Sequence, residues 1–268
     1  MMLLAVFLLG FALGSVGIFL LFRRESMVGD AVAHAAFPGI SLMFLYMQTR
    51  SVFLLLLGGN ISGIFALLLL LFFSKTTALK KETILGILLS VFFGIGLVIV
   101  TIIQKRNIAS QAIINKLLFG NAATLLAQEI YIIILVCSLV LFLLFLSSRL
   151  LITATFDPIF AKSCGYSLFV YEMLLYLLII SLIALSLQVV GVVLTSSMLI
   201  APGASARQWV NSPYVCLLIA GFFGAFSAML GTIVSMYFNY APTGPLIIII
   251  LSFFVFFSLI FTSKRNFL

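Results

Sequence analysis

Charge is what this chain has least of. Only 7% of its 268 residues are Asp, Glu, Lys or Arg, 65% are hydrophobic, and the mean hydropathy is +1.39. A soluble domain carries about 25% charged and about 45–50% apolar residues, so a soluble core is excluded. Histidine occurs once, at His34, which excludes the two-histidine HExxH helix of a metalloprotease. The three cysteines (Cys137, Cys164, Cys216) are far apart and form no CxxC, which excludes a disulfide frame or a thiolate zinc site. No GxxxxGK[ST] occurs, so the chain does not bind ATP by a phosphate-cradling loop, and no Ser-His-Asp set accompanies a nucleophile elbow. The apolar runs lack the period-two alternation of a spanning barrel. The first apolar stretch lacks an A-x-A-like cleavage site and reads as a first span, not a removed signal.

What is there is a series of long apolar runs. A helical span needs about 20 such residues. About eight runs qualify, at roughly 3–22, 28–47, 52–73, 83–103, 129–147, 168–200, 214–238 and 245–262. The sixth is too long for one straight crossing and is expected to be tilted or broken. No gap is large enough for a soluble domain, so the expectation is an all-α polytopic membrane protein with one transmembrane domain, residues 1–268.

The net charge is +8, from 14 Lys and Arg against 6 Asp and Glu. The basic residues fall in the short gaps between runs, which points to membrane topology and anionic lipid, not to nucleic acid. With eight spans the tally is even. Arg23, Arg24, Lys75, Lys80, Lys81, Arg149 and Lys162 fall on one side; Arg50, Lys105, Arg106, Lys116, Arg207, Lys264 and Arg265 fall on the other. A re-entrant segment at Ala241-Pro242-Thr243-Gly244-Pro245 would change the count. Rows of small residues (Ala31, Ala35, Gly39; Gly10, Gly14) suit close helix packing in lipid.

The second run is the anomaly. It holds Asp30 and His34, four residues apart and therefore on one helix face. Ionisable groups inside a span are costly and mark ion or substrate paths. A carboxylate and an imidazole suit Mn, Fe or Zn. Two ligands make half a site, which a two-fold copy would complete. Pro38 removes the N–H that the His34 carbonyl would accept from, and its ring favours a kink. The competing reading is interfacial: Asp30 caps the helix or pairs with Arg23-Arg24, and His34 merely packs. Gln188, Thr195, Ser196 and Ser197 could line a path, but such hydroxyls more often bond their own i−4 carbonyl. Glu129 and Glu172 read as interfacial, and Asp157-Pro158 as a helix start.

These residues resemble the metal-ion permeases of ABC importers, the membrane subunits for manganese, zinc or iron uptake. The family pattern is a basic pair followed by M-S-L-x-G-D-A-x-S-H-A-x-x-P-G. Arg23-Arg24, Met27, Gly29-Asp30-Ala31, His34-Ala35 and Pro38-Gly39 match it, while Glu25 and Ser26 intervene and Ala33 replaces a serine. Phe156-Asp157-Pro158-Ile159-Phe160-Ala161 with Gly165 is similar to its F-D-P-x-F-A-x-x-x-G. Gln188 to Leu194 and Ile200 to Arg207 resemble its V-G-x-L-L…L-I-A-P-A-A-T-A-R, and Pro242 to Pro245 its P-T-G-P.

The resemblance implies a type II ABC importer permease fold and a bacterial cytoplasmic (inner) membrane location. It implies pairing as a homodimer or with a paralogous permease, two separate ATP-binding subunits, and an extracytoplasmic metal-binding protein. The divalent metal is cargo and no cofactor is permanently bound; the chain is a transport subunit, not itself an enzyme. Asp30 and His34 would be metal ligands. Asp157, Pro158, Ala161 and Gly165 would belong to the helix that couples to the ATPase. Arg207 would face outward toward the binding protein, and Pro38, Gly39, Gly191 and Pro202 would kink and pack helices. A secondary transporter using Asp30 and His34 as a proton relay, or a membrane assembly factor, are the alternatives.

Overall fold

The computed structural model describes residues 1–47, 52–106, 120, 125–238 and 242–262, with only the backbone of Val52, Gln188, Val193 and Thr262. Arg50, Lys116, Ala241, Lys264 and Arg265 lie outside the described residues.

Every described element is a helix. They are α1 (Met2–Phe22), α2 (Met27–Met47), α3 (Val52–Thr76), α4 (Lys81–Arg106), α5 (Ala127–Phe156), α6 (Pro158–Ser163), α7 (Leu168–Val189), α8 (Val192–Trp209), α9 (Pro213–Tyr237) and α10 (Thr243–Thr262). All but α6 and α8 are long and apolar enough to cross a membrane, eight candidates in agreement with the eight apolar runs. In a bilayer every backbone amide must bond within its own segment, which leaves the helix as the form these runs adopt.

The long sixth run is broken. Gly191 adopts φ 91 and ψ 161, a region open in practice only to glycine, and it separates α7 from α8. Gly191 is therefore a hinge between two helices, not a kink within one. Pro202 lies inside α8 and is buried. α8 carries Thr195, Ser196, Ser197, Ser205 and Arg207, too polar to stand out as a span. Its 18 residues still reach about 27 Å, close to a hydrocarbon core. It is sheltered from lipid by α1, α2, α9 and α10.

The direction of α8 follows from its neighbours. A Cβ on Gly203 would touch Ile18, and the Arg207 guanidinium lies 5.9 Å from the Phe22 ring, so α8 runs parallel to α1. The Trp209 indole N–H donates to Ser258 near the end of α10 (2.5 Å), and the Thr243 hydroxyl donates to Val189 O at the opposite end (2.9 Å). The described helices thus cross the bundle nine times. The extra crossing comes from the Gly191 break; Thr243 simply starts α10, and the described part of 242–245 is no re-entrant segment.

This overturns the even charge tally. Every described residue after Gly191 changes side. Among the described residues Arg23, Arg24, Lys75, Lys80, Lys81, Arg149, Lys162 and Arg207 now fall toward one end, the basic end, against Lys105 and Arg106 at the other.

Packing divides the helices. α1, α5, α8, α9 and α10 form one group, and α2, α3 and α4 another; α7 touches both, and α2 also meets α8. Each group is joined through small residues. A Cβ on Gly10 would sit 2.5 Å from Gly224 O, and one on Gly58 would sit 2.5 Å from Gly39 O. Backbones come this close because packing, not the hydrophobic effect, holds helices together in lipid. The rows Ala31-Ala35-Gly39 and Gly10-Gly14 serve this purpose. Outward faces carry Leu139, Phe142, Phe145, Phe253 and Phe256, all more than half exposed and suited to lipid tails.

Candidate functional site

α2 is buried from Val28 to Ser41 with two exceptions, Asp30 and His34, which are half-buried. The only two ionisable groups between Val28 and Ser41 are thus the two positions there that the helix's own neighbours leave partly uncovered. Asp30 lies in the first turn, where the unpaired N–H groups of the helix favour a carboxylate.

Their depth follows from the link before α2. The Glu25 carboxylate accepts from the Tyr176 hydroxyl (2.8 Å), and Tyr176 lies eight residues into α7. At 1.5 Å per residue Tyr176 is rooted about 12 Å along α7, so Glu25 meets a side chain that starts well inside the bundle. α2 then climbs further, putting Asp30 near half of the roughly 33 Å that α7 spans. Gly29 agrees, since a Cβ there would meet Leu199 in the middle of α8 at 3.2 Å. The interfacial reading of Asp30 fails on a second count: Arg23 pairs with Glu172 instead (2.5 Å), and among the described residues Asp30 takes part in no ion pair.

His34 packs edge-on against Phe93 of α4, ring centroids 4.7 Å apart. Its Nδ1 is buried and has no hydrogen-bond partner. A buried ring nitrogen left without a partner costs free energy that an ion or a donor group would recover. Among the described residues no group of three or more His, Cys, Asp or Glu is assembled, so no further ligand of these types joins the Asp30–His34 pair there.

Pro38 leaves the His34 carbonyl without its N–H. The next carbonyl, Ala35 O, accepts from the Ser62 hydroxyl of α3 (2.5 Å), so α2 continues through the proline as one helix. In α8 the hydroxyls of Thr195 and Ser205 donate to Gly191 O and Ala201 O one turn back, which is structural bonding, not path lining. The Gln188 side chain lies outside the described set.

α6 is a short, sharply delimited helix at the basic end. The Asp157 carboxylate accepts from the Phe160 N–H (2.9 Å), and Pro158 occupies the first turn, where its missing N–H costs nothing. Gly165 (φ 82) ends it: its N–H donates to Lys162 O and that of Tyr166 to Ala161 O, the paired bonds of a glycine C-cap. Ala161 is buried against the bundle, while Ile159 (78% exposed) and Phe160 (56%) point away from it. Two apolar side chains are thus displayed away from the bundle on a short capped helix.

Arg207 is not where the sequence placed it. It was expected on the face opposite α6, but it lies against Phe22, and Phe22 packs on Phe156 just before α6 (5.1 Å). The reason is again the Gly191 break, which adds one crossing before Arg207.

Fold and site together define a multi-pass helical membrane protein with a polar pair held at mid-depth. The chain belongs to the ABC 3 transport family, whose model matches residues 1–262. It is 38% identical over 249 residues to the zinc transport system membrane protein TroC of Treponema pallidum (strain Nichols), covering 93% of this chain and 84% of that one. It is 36% identical over 259 residues to the manganese transport system membrane protein MntC of Bacillus subtilis (strain 168), covering 97% of this chain but only 60% of that relative's length. Among solved structures, PsaBC from Streptococcus pneumoniae in complex with Fab superposes with a TM-score of 0.86 at 27% identity, over 96% of this chain and 89% of that chain.

Proposed function

We propose that the chain is the membrane permease subunit of an ATP-driven importer that moves a divalent transition-metal ion (manganese, zinc or iron) into the cytoplasm. The observation that carries this reading is the Asp30–His34 pair at mid-depth, with the buried His34 Nδ1 lacking a partner. The relatives named for manganese and zinc transport support the class of cargo. An oxygen and an imidazole nitrogen serve either ion, so the pair itself is compatible with both.

Two copies, or one copy and a related permease, would face each other so that two such pairs enclose the ion. Separate ATP-binding subunits would dock on the Ile159 and Phe160 knob of α6, which Asp157, Pro158 and Gly165 hold in shape and Ala161 seats on the bundle. That assigns the basic end to the cytoplasm, as the excess of Lys and Arg there supports. The membrane is then the cytoplasmic membrane of a bacterium, and a metal-binding protein delivers the ion to the opposite end. Arg207, on the cytoplasmic end, cannot meet that protein.

Transport requires that the site open alternately to each end. The two helix groups, joined through α7 and the α2–α8 contact, can rock as packed bodies between discrete arrangements. Asp30→Asn removes a negative oxygen ligand and His34→Ala the nitrogen. Either substitution is expected to abolish metal accumulation in proteoliposomes while the complex assembles and hydrolyses ATP. Normal uptake in both would defeat the ligand assignment.

A further inference from the structure

The link between α1 and α2 is held more tightly than a loop needs to be. Arg24 adopts φ 58, a left-handed conformation that costs a side-chain-bearing residue energy. Around it the Arg24 N–H donates to Leu21 O and the Glu25 N–H to Leu20 O, the bond pair that normally has glycine at its centre. The strain persists because the residues on both sides are anchored. The Arg23 guanidinium donates to Glu172 Oε1 (2.5 Å). Glu25 accepts from Lys81 Nζ (2.7 Å) and from the Tyr176 hydroxyl (2.8 Å), and Lys81 also donates to that hydroxyl (2.8 Å).

Glu172 and Tyr176 are one turn apart on the same face of α7. α7 starts only a few residues after α6, across the Gly165 cap, with the Tyr166 and Tyr171 rings packed edge to face at 5.9 Å. Glu25 precedes the first residue of α2 by two positions and Asp30 by five. A cavity of about 370 Å³, lined by Arg23, Arg24, Glu25, Leu151, Pro158 and Glu172, lies between this cluster and the start of α6 and leaves room for the corner to shift.

We infer that Arg23, Glu25, Lys81, Glu172 and Tyr176 form a polar clasp through which a displacement of α6 is passed to α2 and so to Asp30 and His34. The side chains of the two ion pairs are 16–33% exposed, so the pairs are screened less than surface pairs. They tie the base of α2 to α7 and α4, and the helix carrying the proposed ligands has no slack against the helix that follows the docking knob. These are positioning residues; none touches the cargo. The inference rests on the proposed roles of α6 and of Asp30 and His34.

The test uses the assembled importer with its ATPase subunits in proteoliposomes, with Mn²⁺ uptake and ATP hydrolysis measured together as ions moved per ATP. Glu172→Arg and Arg23→Glu are each expected to lower that ratio about tenfold or more, and the double swap to restore most of it, the signature of a direct pair. Tyr176→Phe, which keeps the ring and its packing, is expected to lower the ratio about threefold or more through loss of its two hydrogen bonds to charged groups, Glu25 and Lys81. A merely structural role would lower uptake and hydrolysis together and leave the ratio unchanged. An unchanged ratio in Tyr176→Phe, or a swap no better than the worse single variant, overturns the clasp. Normal uptake in Asp30→Asn, or a wild-type complex that moves no divalent metal, overturns the proposed function instead.

Discussion

His34 carries two features that pull in the same direction. Its ring is wedged against Phe93, which fixes its position, and its Nδ1 is buried without a partner. A packing histidine would have the first feature and not the second, because a buried nitrogen is normally hydrogen-bonded. The cysteines provide a residue-scale check on orientation. Cys137 and Cys216 are buried inside spans, while Cys164 is exposed at the end of α6. A membrane-impermeant maleimide is therefore expected to label Cys164 alone, and only in inside-out vesicles stripped of the ATPase subunits. Labelling of Cys164 from the outer face of intact spheroplasts would reverse the assigned orientation.

Among the elements, the apolar helices were legible in the sequence because length and hydropathy suffice to define a span, and the Asp30–His34 pair because charge stands out in an apolar run. α8 was not legible as a separate crossing. The run from 168 to 200 is continuous in apolarity, and its break depends on one backbone conformation at Gly191. The length of the run predicts a tilt or a break, but not that it yields a separate crossing, and that missing crossing also misplaced Arg207 and levelled the charge tally. Gly191→Ala is expected to destabilise the fold by about 1–3 kcal/mol, since a Cβ is strained at φ 91. Thermal unfolding in detergent measures this, and an unchanged midpoint would mean that α7 and α8 tolerate another junction.

At the scale of the whole molecule, the polar residues that organise the basic end were visible singly but not as a set. Arg23 and Glu172 are 149 residues apart, and Glu25 lies 56 residues from Lys81 and 151 from Tyr176. Such pairs are brought together only by the order in which helices pack, which composition and spacing do not encode. α2 buries every other side of itself from Val28 to Ser41 against its own bundle and leaves Asp30 and His34 partly uncovered, and among the described residues no third His, Cys, Asp or Glu joins them, so the proposed site would be completed by a second copy. The most direct test is the metal bound by the purified permease assembly at equilibrium, measured with Mn²⁺ or Zn²⁺. The expected result is about one ion for every two chains, lost in His34→Ala while the assembly keeps its size, as a shared two-fold site requires. Retention of the ion by His34→Ala, or one ion per chain, would contradict it.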